Sequence, residues 1–362
     1  MRIGLLTSVG PMLDAFFPEI VQEWEAAGHT VLTAAGDGAK VLSGTVIEGL
    51  TRRPAISARR AQRALRAWSE EGRLDVVVTN SATASALVRT AGLRMPVVYF
   101  CHGLHWNRLR TPQDHLWQTV EHQLLARTAG VLTLNSDDEA WFRRRMPTHA
   151  VHRLRPGVGL DLEQYPRTAL PAGPLSLAWI GEHSRRKRPW LAVDVAAGLR
   201  AAGTDATLTL VGVGSLLERT RSEVRRRGLE DIVHVVGWAD AAQTLAGAHA
   251  LIHTAAWEGL PRVMLEAFAM GRRTYAFDVK GVRDSPDAIL LEDEDVAGMA
   301  DAVAGDWASG LLHRPVEADA GHLCSKEVAQ EILVFLRGAI VPVSAGATEA
   351  AAGSDEGRAE AA

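Results

Sequence analysis

Short apolar, β-branched runs alternate with amphipathic segments along most of this chain, and they do so in two sets. "RIGLLTS", "HTVLTAA", "LDVVVTN", "PVVYFCHG" and "VLTLN" are apolar and short enough to be buried strands. Between them lie stretches such as "MLDAFFPEIVQEWEAAG", "ISARRAQRALRAWSEEG" and "ATASALVRTAG", whose apolar residues recur at helical spacing. That alternation predicts βαβ units, a parallel sheet covered by helices. Over residues 155–174, "RPGVGLDLEQYPRTALPAGP" is rich in Gly and Pro and has no periodicity, which reads as a linker. A second set follows, with "LSLAWIG", "ATLTLVG", "IVHVVG", "ALIHTA" and "RTYAFD" as its strands. The expected fold is α/β, two doubly wound Rossmann-like domains over residues 1–168 and 169–325, then a helix at 326–340. Residues 341–362, Ala-, Gly- and Glu-rich without large apolar side chains, are expected to be a disordered tail.

Several classes of function are disfavoured at once. A net charge of −4 gives no overall attraction to nucleic acid, so a basic site would have to be local. Cys101 and Cys324 stand in no metal or redox spacing, which suits a reducing, cytoplasmic compartment. The opening "MRIGLLTSVGPMLDAFF" reads as a first strand rather than a signal peptide. No run of about 20 apolar residues occurs, so no membrane span is expected.

The stretch "WEGLPRVMLEAFAMG" (257–271) carries the clearest chemical signal. Pro261 suits the first turn of a helix, where its missing N–H costs nothing. Glu266 then lies about one and a half turns into that helix, and Glu258 lies before it. The two acids bracket a helix N-terminus, whose free N–H groups favour an anion. Carboxylates beside a bound anion repel it, so they are better suited to accepting hydrogen bonds from hydroxyls. A ligand with phosphate in the middle and hydroxyls at both ends, such as a nucleotide sugar, meets those demands. The plainer alternative is a solvated loop acid and a helix-surface acid. Upstream, "WIGEHSRRKRP" (179–189) places Arg185, Arg186, Lys187 and Arg188 directly after the first strand of the same domain, where a diphosphate could sit.

In order and spacing, "GEHSRRKRP", "LTLVGVGSLLE", "VHVVGW" and "EGLPRVMLEAFAMGRRTYAFDVKGVRD" resemble the C-terminal domain of family 4 glycosyltransferases. "MPVVYFCHGLHW" and "RPGVGLDLEQYP" are similar to the capsular and exopolysaccharide branch of that family. The resemblance implies the GT-B fold, with an acceptor domain first, a nucleotide-sugar domain second and a C-terminal helix crossing back to the first domain. It implies a retaining enzyme that needs no metal or other cofactor and moves a sugar from a nucleotide sugar, here expected to be a UDP-sugar, to a saccharide or polyprenyl-diphosphate-linked acceptor.

By the same resemblance, Glu266 holds the nucleotide ribose and Glu258 lies by the donor sugar hydroxyls. Gly259, Leu260 and Pro261 form the turn that meets sugar and phosphate. Lys187 binds the diphosphate, with Arg186 as the second cation, because Glu182 stands where many members have an Arg. His102 faces the donor sugar from the first domain. Gly237 and Trp238, in "VVGW", belong to the segment that reads the base. Many members have a Gly-Gly pair in the first loop, whereas this chain has only Gly10 followed by Pro11. "HGLH" could suggest a metal site but lacks partners at ligand spacing. "DED" (293–295) recurs in metal-binding glycosyltransferases, but before an apolar-periodic helix it reads as a capping cluster.

Between Arg52 and Arg66 the segment "TRRPAISARRAQRALRAW" carries six arginines, and Arg59, Arg63 and Arg66 share a helix face. Peripheral contact with anionic membrane and a plain solvated helix both fit that pattern. A transferase acting on a soluble small molecule, or a non-catalytic nucleotide-sugar-binding subunit, are the competing functions.

Overall fold

The two sets of apolar runs form two parallel sheets. This computed structural model describes residues 1–42, 44–51, 57–104, 106 and 111–340. Arg52, Arg53, His105 and the expected tail at 341–362 lie outside the described residues. In the first sheet, β1 (Arg2–Leu6), β2 (Thr30–Ala35), β3 (Thr45–Val46), β4 (Val76–Thr79), β5 (Val97–Cys101), β6 (Gly130–Thr133) and β7 (Val151–Arg153) run in the order β3-β2-β1-β4-β5-β6-β7. In the second, β8 (Leu175–Ile180), β9 (Ala206–Val211), β10 (Val233–Gly237), β11 (Ala250–His253), β12 (Arg273–Phe277) and β13 (Ala288–Leu291) run in the order β10-β9-β8-β11-β12-β13. The strand order reverses between β1 and β4 and again between β8 and β11. At such switch points helices leave to opposite faces and open a crevice at the carboxyl ends of the strands.

The central strands read as continuous apolar runs because both their faces are covered. Every residue of β4, β5, β6 and β11 is buried. The edges were harder to read. β3 is two exposed residues, and β13 is mostly half-buried, so neither shows an apolar signature.

Two helices occupy the segment expected to be one. Gly10–Phe16 ends and Pro18–Ala26 begins at Phe17, whose φ of −122° and ψ of −2° leave the helical region. Pro18 is the cause: it donates no N–H, and its ring pushes the preceding residue out of helical geometry.

The last helix, Ser325–Ile340, crosses back as expected. It lays Val328, Ala329, Ile332 and Leu336 against Ile3, Val98 and the rest of the first sheet's core. The indole N–H of Trp24 donates to the Ala329 carbonyl at 2.9 Å. Just before this helix the chain runs beside the outgoing connection. The Leu160 N–H donates to Leu323 O at 2.7 Å, and the Ser325 N–H donates back to Leu160 O at 3.1 Å. Gly159, at φ +74°, lets the two segments pass, since a Cβ there would lie 2.6 Å from Ser325 Cα. No described helix is long and apolar enough to cross a membrane.

Ile332 is fully buried under the first sheet. Ile332→Ala is expected to destabilise the protein by about 2–5 kcal/mol, the cost of an unfilled core site, in urea unfolding followed by tryptophan fluorescence.

Candidate active site

The loops that leave β8 and β11 meet at the second switch point, and they carry the cations and the first acid. Arg188 fixes the β8 loop. Its backbone takes a left-handed φ of 50° and its side chain is buried. The guanidinium donates to Thr254 O at 2.7 Å, Ala255 O at 2.8 Å, Asp293 at 2.7 Å and Glu294 at 3.0 Å. Two of the three acids in "DED" are therefore spent on Arg188. Only Asp295 caps a helix, accepting from the Gly298 N–H at 2.8 Å. Thr254 Oγ1 also donates to the Lys187 carbonyl at 2.9 Å, so the loop is bound to the exit of β11.

Held this way, Arg186 and Lys187 converge on Glu258. Arg186 Nη1 lies 2.6 Å from Glu258 Oε2, and Lys187 Nζ contacts Oε1. Burial pushes the Glu258 carboxyl up, but Lys187 and Arg186 outweigh it and hold it below the ordinary glutamate value. His253, at the end of β11, lies beneath, with Nε2 3.8 Å from Glu258 Oε1. Neither of its buried ring nitrogens has a hydrogen-bond partner. Burial, then Lys187, lower its pKa to about 3.

The turn after Glu258 is pressed between two backbones. A Cβ on Gly259 would lie 1.9 Å from His102 O, and a Cβ on Gly281 would lie 2.2 Å from Glu258 O. Gly259 O accepts from Asn135 Nδ2 at 2.9 Å, so the turn is also hydrogen-bonded to the first domain. Pro261 caps the helix Arg262–Ala269 rather than starting it; its ψ of 106° is extended, which places it one residue earlier than the expected first turn. Leu260 packs into the apolar seam between the domains, where a Cβ on Gly157 would come 3.1 Å from Leu260 Cδ2.

His102 follows β5 across from this turn. Its ring stacks on Phe100, with centroids 4.6 Å apart, and its Nε2 is buried without a partner. Burial lowers its pKa to about 4, so it is neutral at neutral pH. His102, Glu258, Gly259, Arg262, Met12 and Phe16 share a cavity of about 210 Å³ between the domains.

Glu266 is buried on the helix after the turn. Arg262 Nε lies 3.3 Å away, and Tyr165 hydrogen-bonds to it. Burial raises its carboxyl, and Arg262 and Tyr165 offset this only in part. Gly237, at φ +83°, ends β10, and its carbonyl accepts from Gly212 N–H at 2.5 Å. Trp238 is 79% exposed. Gly10 sits in the first loop, where its N–H donates to Asp37. A Cβ on Gly10 would lie 2.5 Å from Ala39 N, so this glycine admits the 36–39 loop. Among the described residues, no group of three or more His, Cys, Asp or Glu side chains is placed to hold a metal ion.

Residues 14–157 match the family described as "Glycosyl transferase 4-like domain", and residues 174–305 match that described as "Glycosyl transferases group 1". The chain belongs to this glycosyltransferase family. No curated protein matches it significantly in sequence. Among solved structures it is similar to the sucrose-phosphate synthase of Thermosynechococcus elongatus, with TM-score 0.76 and 18% identity over 93% of this chain and 98% of that one. It is also similar to Anabaena HepE in complex with UDP, with TM-score 0.77 and 17% identity over 93% and 100%. A third likeness is to a lipopolysaccharide outer core galactosyltransferase, with TM-score 0.66 and 15% identity over 93% and 100%. At these identities the likeness establishes the GT-B fold.

In this glycosyltransferase His102, Glu258, Gly259 and Leu260 line the cavity between the domains, Arg186 and Lys187 pair with Glu258, and Glu266 lies on the helix after the turn, bonded to Arg262 and Tyr165. Gly237 and Trp238 stand at the sheet's edge, separated from β11 by β9 and β8. Sequence reasoning missed His253, Tyr165, Asn135 and Lys280. The cap pattern "NSDDE" would have found Asn135, which accepts from the Asp138 N–H at 2.8 Å. Lys280 gave no signal. It is buried across the cleft, 2.7 Å from Asp138, and donates to Leu104 O at 2.9 Å.

Gly259→Ala is expected to reduce transfer at least tenfold and lower the melting temperature, because the methyl would overlap His102 O; activity assays and thermal denaturation check this. The buried histidines set an acid limit. His102, His183 and His253 have pKa values lowered to about 4, 4 and 3, mainly by burial. As pH falls below 6.5 the unfolded chain takes up these protons while the folded chain resists, so stability is lost from about pH 6.5 toward pH 4. His253→Leu should flatten that slope in melting temperatures measured across the window.

Proposed function

We propose that this glycosyltransferase moves a sugar from a UDP-sugar to a saccharide or polyprenyl-diphosphate-linked acceptor, with retention, in cell-surface polysaccharide synthesis. The observation that carries the reading is the Glu258–Lys187–Arg186 cluster at the second switch point. There two cations share one of the chain's own carboxylates. A donor diphosphate carries more negative charge than that carboxylate and competes for both cations. Glu258, once displaced, is free to accept from donor hydroxyls, while Glu266 takes the ribose end. The UDP-bound HepE, and its UDP-glucose complex with TM-score 0.75 and 17% identity, support UDP as the carrier.

In the reaction the bond from the anomeric carbon to the diphosphate breaks, and the electron pair leaves with the phosphate. Lys187, Arg186 and the helix N-terminus after Pro261 meet the growing charge, so the protein supplies the positive potential without a metal. The sugar becomes oxocarbenium-like. The acceptor hydroxyl attacks from the same face and passes its proton to the departing phosphate. Neutral His102 offers a hydrogen bond to the sugar rather than a charge. Gly237 with Trp238 would border the base, and Gly10 the first-loop side of the phosphate. This reading places the protein on the cytoplasmic side, where nucleotide sugars are made.

Lys187→Ala and Glu266→Ala are each expected to lower turnover of UDP-sugars by about 10²–10³-fold, with circular dichroism unchanged. Near-wild-type turnover in either variant would overturn the assignment. Slow hydrolysis of UDP-sugars without acceptor, and NMR of the product anomer, test donor class and retention.

A further inference from the structure

A second cavity, of about 660 Å³, opens in the first domain away from the charge cluster. It lies between the helices Ala58–Glu71, Ala82–Thr90 and Pro112–Leu124. Leu87, Trp117, Val120, Leu124, Leu104 and Trp106 give it an apolar lining. Several polar groups in its wall are satisfied within the protein. Glu121 receives a two-pronged hydrogen bond from buried Arg89, at 2.5 and 3.0 Å. Gln62 Nε2 donates to Thr90 Oγ1 at 2.9 Å, and Asp114 closes a capping box with Thr111. These groups need no polar ligand, and the volume is that of a small-molecule site.

Two features say what belongs there. Leu104 and Trp106 also line a cavity of about 570 Å³ between the domains, together with Asp138 and Lys280, so one end of the apolar cavity adjoins the interdomain cleft. The helix that supplies Ala58 and Gln62 to the wall also presents Arg59, Arg63 and Arg66, all exposed, beside it. An apolar hollow with a cationic helix on its wall, sharing Leu104 and Trp106 with the interdomain cavity, is complementary to a phosphate group carrying a hydrocarbon chain. Leu116 is 59% exposed and shares a helix face with Gln113 and Val120, which extends the apolar surface along the same helix.

We infer that this cavity seats the hydrocarbon chain of a lipid-linked phosphate acceptor, with Arg59 and Arg63 at its phosphate. The inference rests on the proposed function and deepens it, since it selects the lipid-linked acceptor over a soluble one. It gives the basic helix a ligand-binding role in place of simple adhesion to a charged surface.

Isothermal titration calorimetry of the full-length protein tests this with farnesyl diphosphate below its micelle concentration, inorganic diphosphate and UDP. Farnesyl diphosphate is expected to bind at least tenfold more tightly than inorganic diphosphate, and UDP should not displace it. Ala86→Trp and Val120→Trp, which fill the cavity from two different helices, should each abolish that advantage and leave UDP affinity unchanged; UDP binding also shows that the variants are folded. Equal binding of the two diphosphates overturns the inference, as does displacement by UDP. So does farnesyl diphosphate binding that survives both tryptophan variants and is lost only in an Arg59→Ala, Arg63→Ala double variant, which would mark a surface charge patch alone. Failure of the wild-type protein to bind UDP would instead count against the nucleotide-sugar reading.

Discussion

The two domains touch backbone to backbone where Gly259 lies under the His102 carbonyl, and the cleft is set around that contact. There is no room for a side chain on Gly259, and Gly281 closes the turn from behind. Because main-chain atoms set the spacing, the separation of the Gly259 turn from the His102 backbone does not depend on rotamers. Three interactions hold the register from further along the cleft: Asn135 to Gly259 O, Lys280 to Asp138, and Asp284 to Arg153 at 2.6 Å. Burying the Lys280–Asp138 pair costs desolvation, which the additional hydrogen bonds to Leu104 O and Trp106 O help to offset.

The same geometry gives the charge cluster its character. Glu258 is largely buried, and an isolated buried carboxylate would drift toward its neutral form. Lys187 and Arg186 keep it ionised, and it in turn gives both cations a partner. Arg188, next in sequence, is drawn the opposite way, into the scaffold of Thr254, Ala255 and the acids 293–294. One run of basic residues thus divides by position into two members that pair with Glu258 and one that braces the scaffold.

Much of this was legible in advance. Both sheets were visible because their central strands are apolar on both faces, and the returning helix carries a clear helical period. The acid pair, the cations and His102 were legible through motif and resemblance. What could not be read has a common cause: it depends on partners distant in the chain. Arg186, Lys187 and Arg188 look alike as letters, and only Glu258 and the carbonyls after β11 tell them apart. His253 lies in the strand "ALIHTA" and Lys280 in the stretch "FDVKGVRD", but nothing local sets either residue apart from its neighbours. The break at Phe17 was the exception. Pro18 announced it locally, but the continuous apolar spacing across residues 10–26 masked the signal.

Gly159 and Ser325 mark where the outgoing and returning chains run side by side. Two covalent links, hydrogen-bonded to each other through Leu160, join the domains along one line. A body tethered at one line keeps a single easy freedom, rotation about it. Opening of the cleft would therefore be a swing about residues 159–160 and 323–325. The motion would be largest on the side farthest from that axis. The crossing that makes the first domain borrow its last helix from the end of the chain is, in mechanical terms, a door hinge.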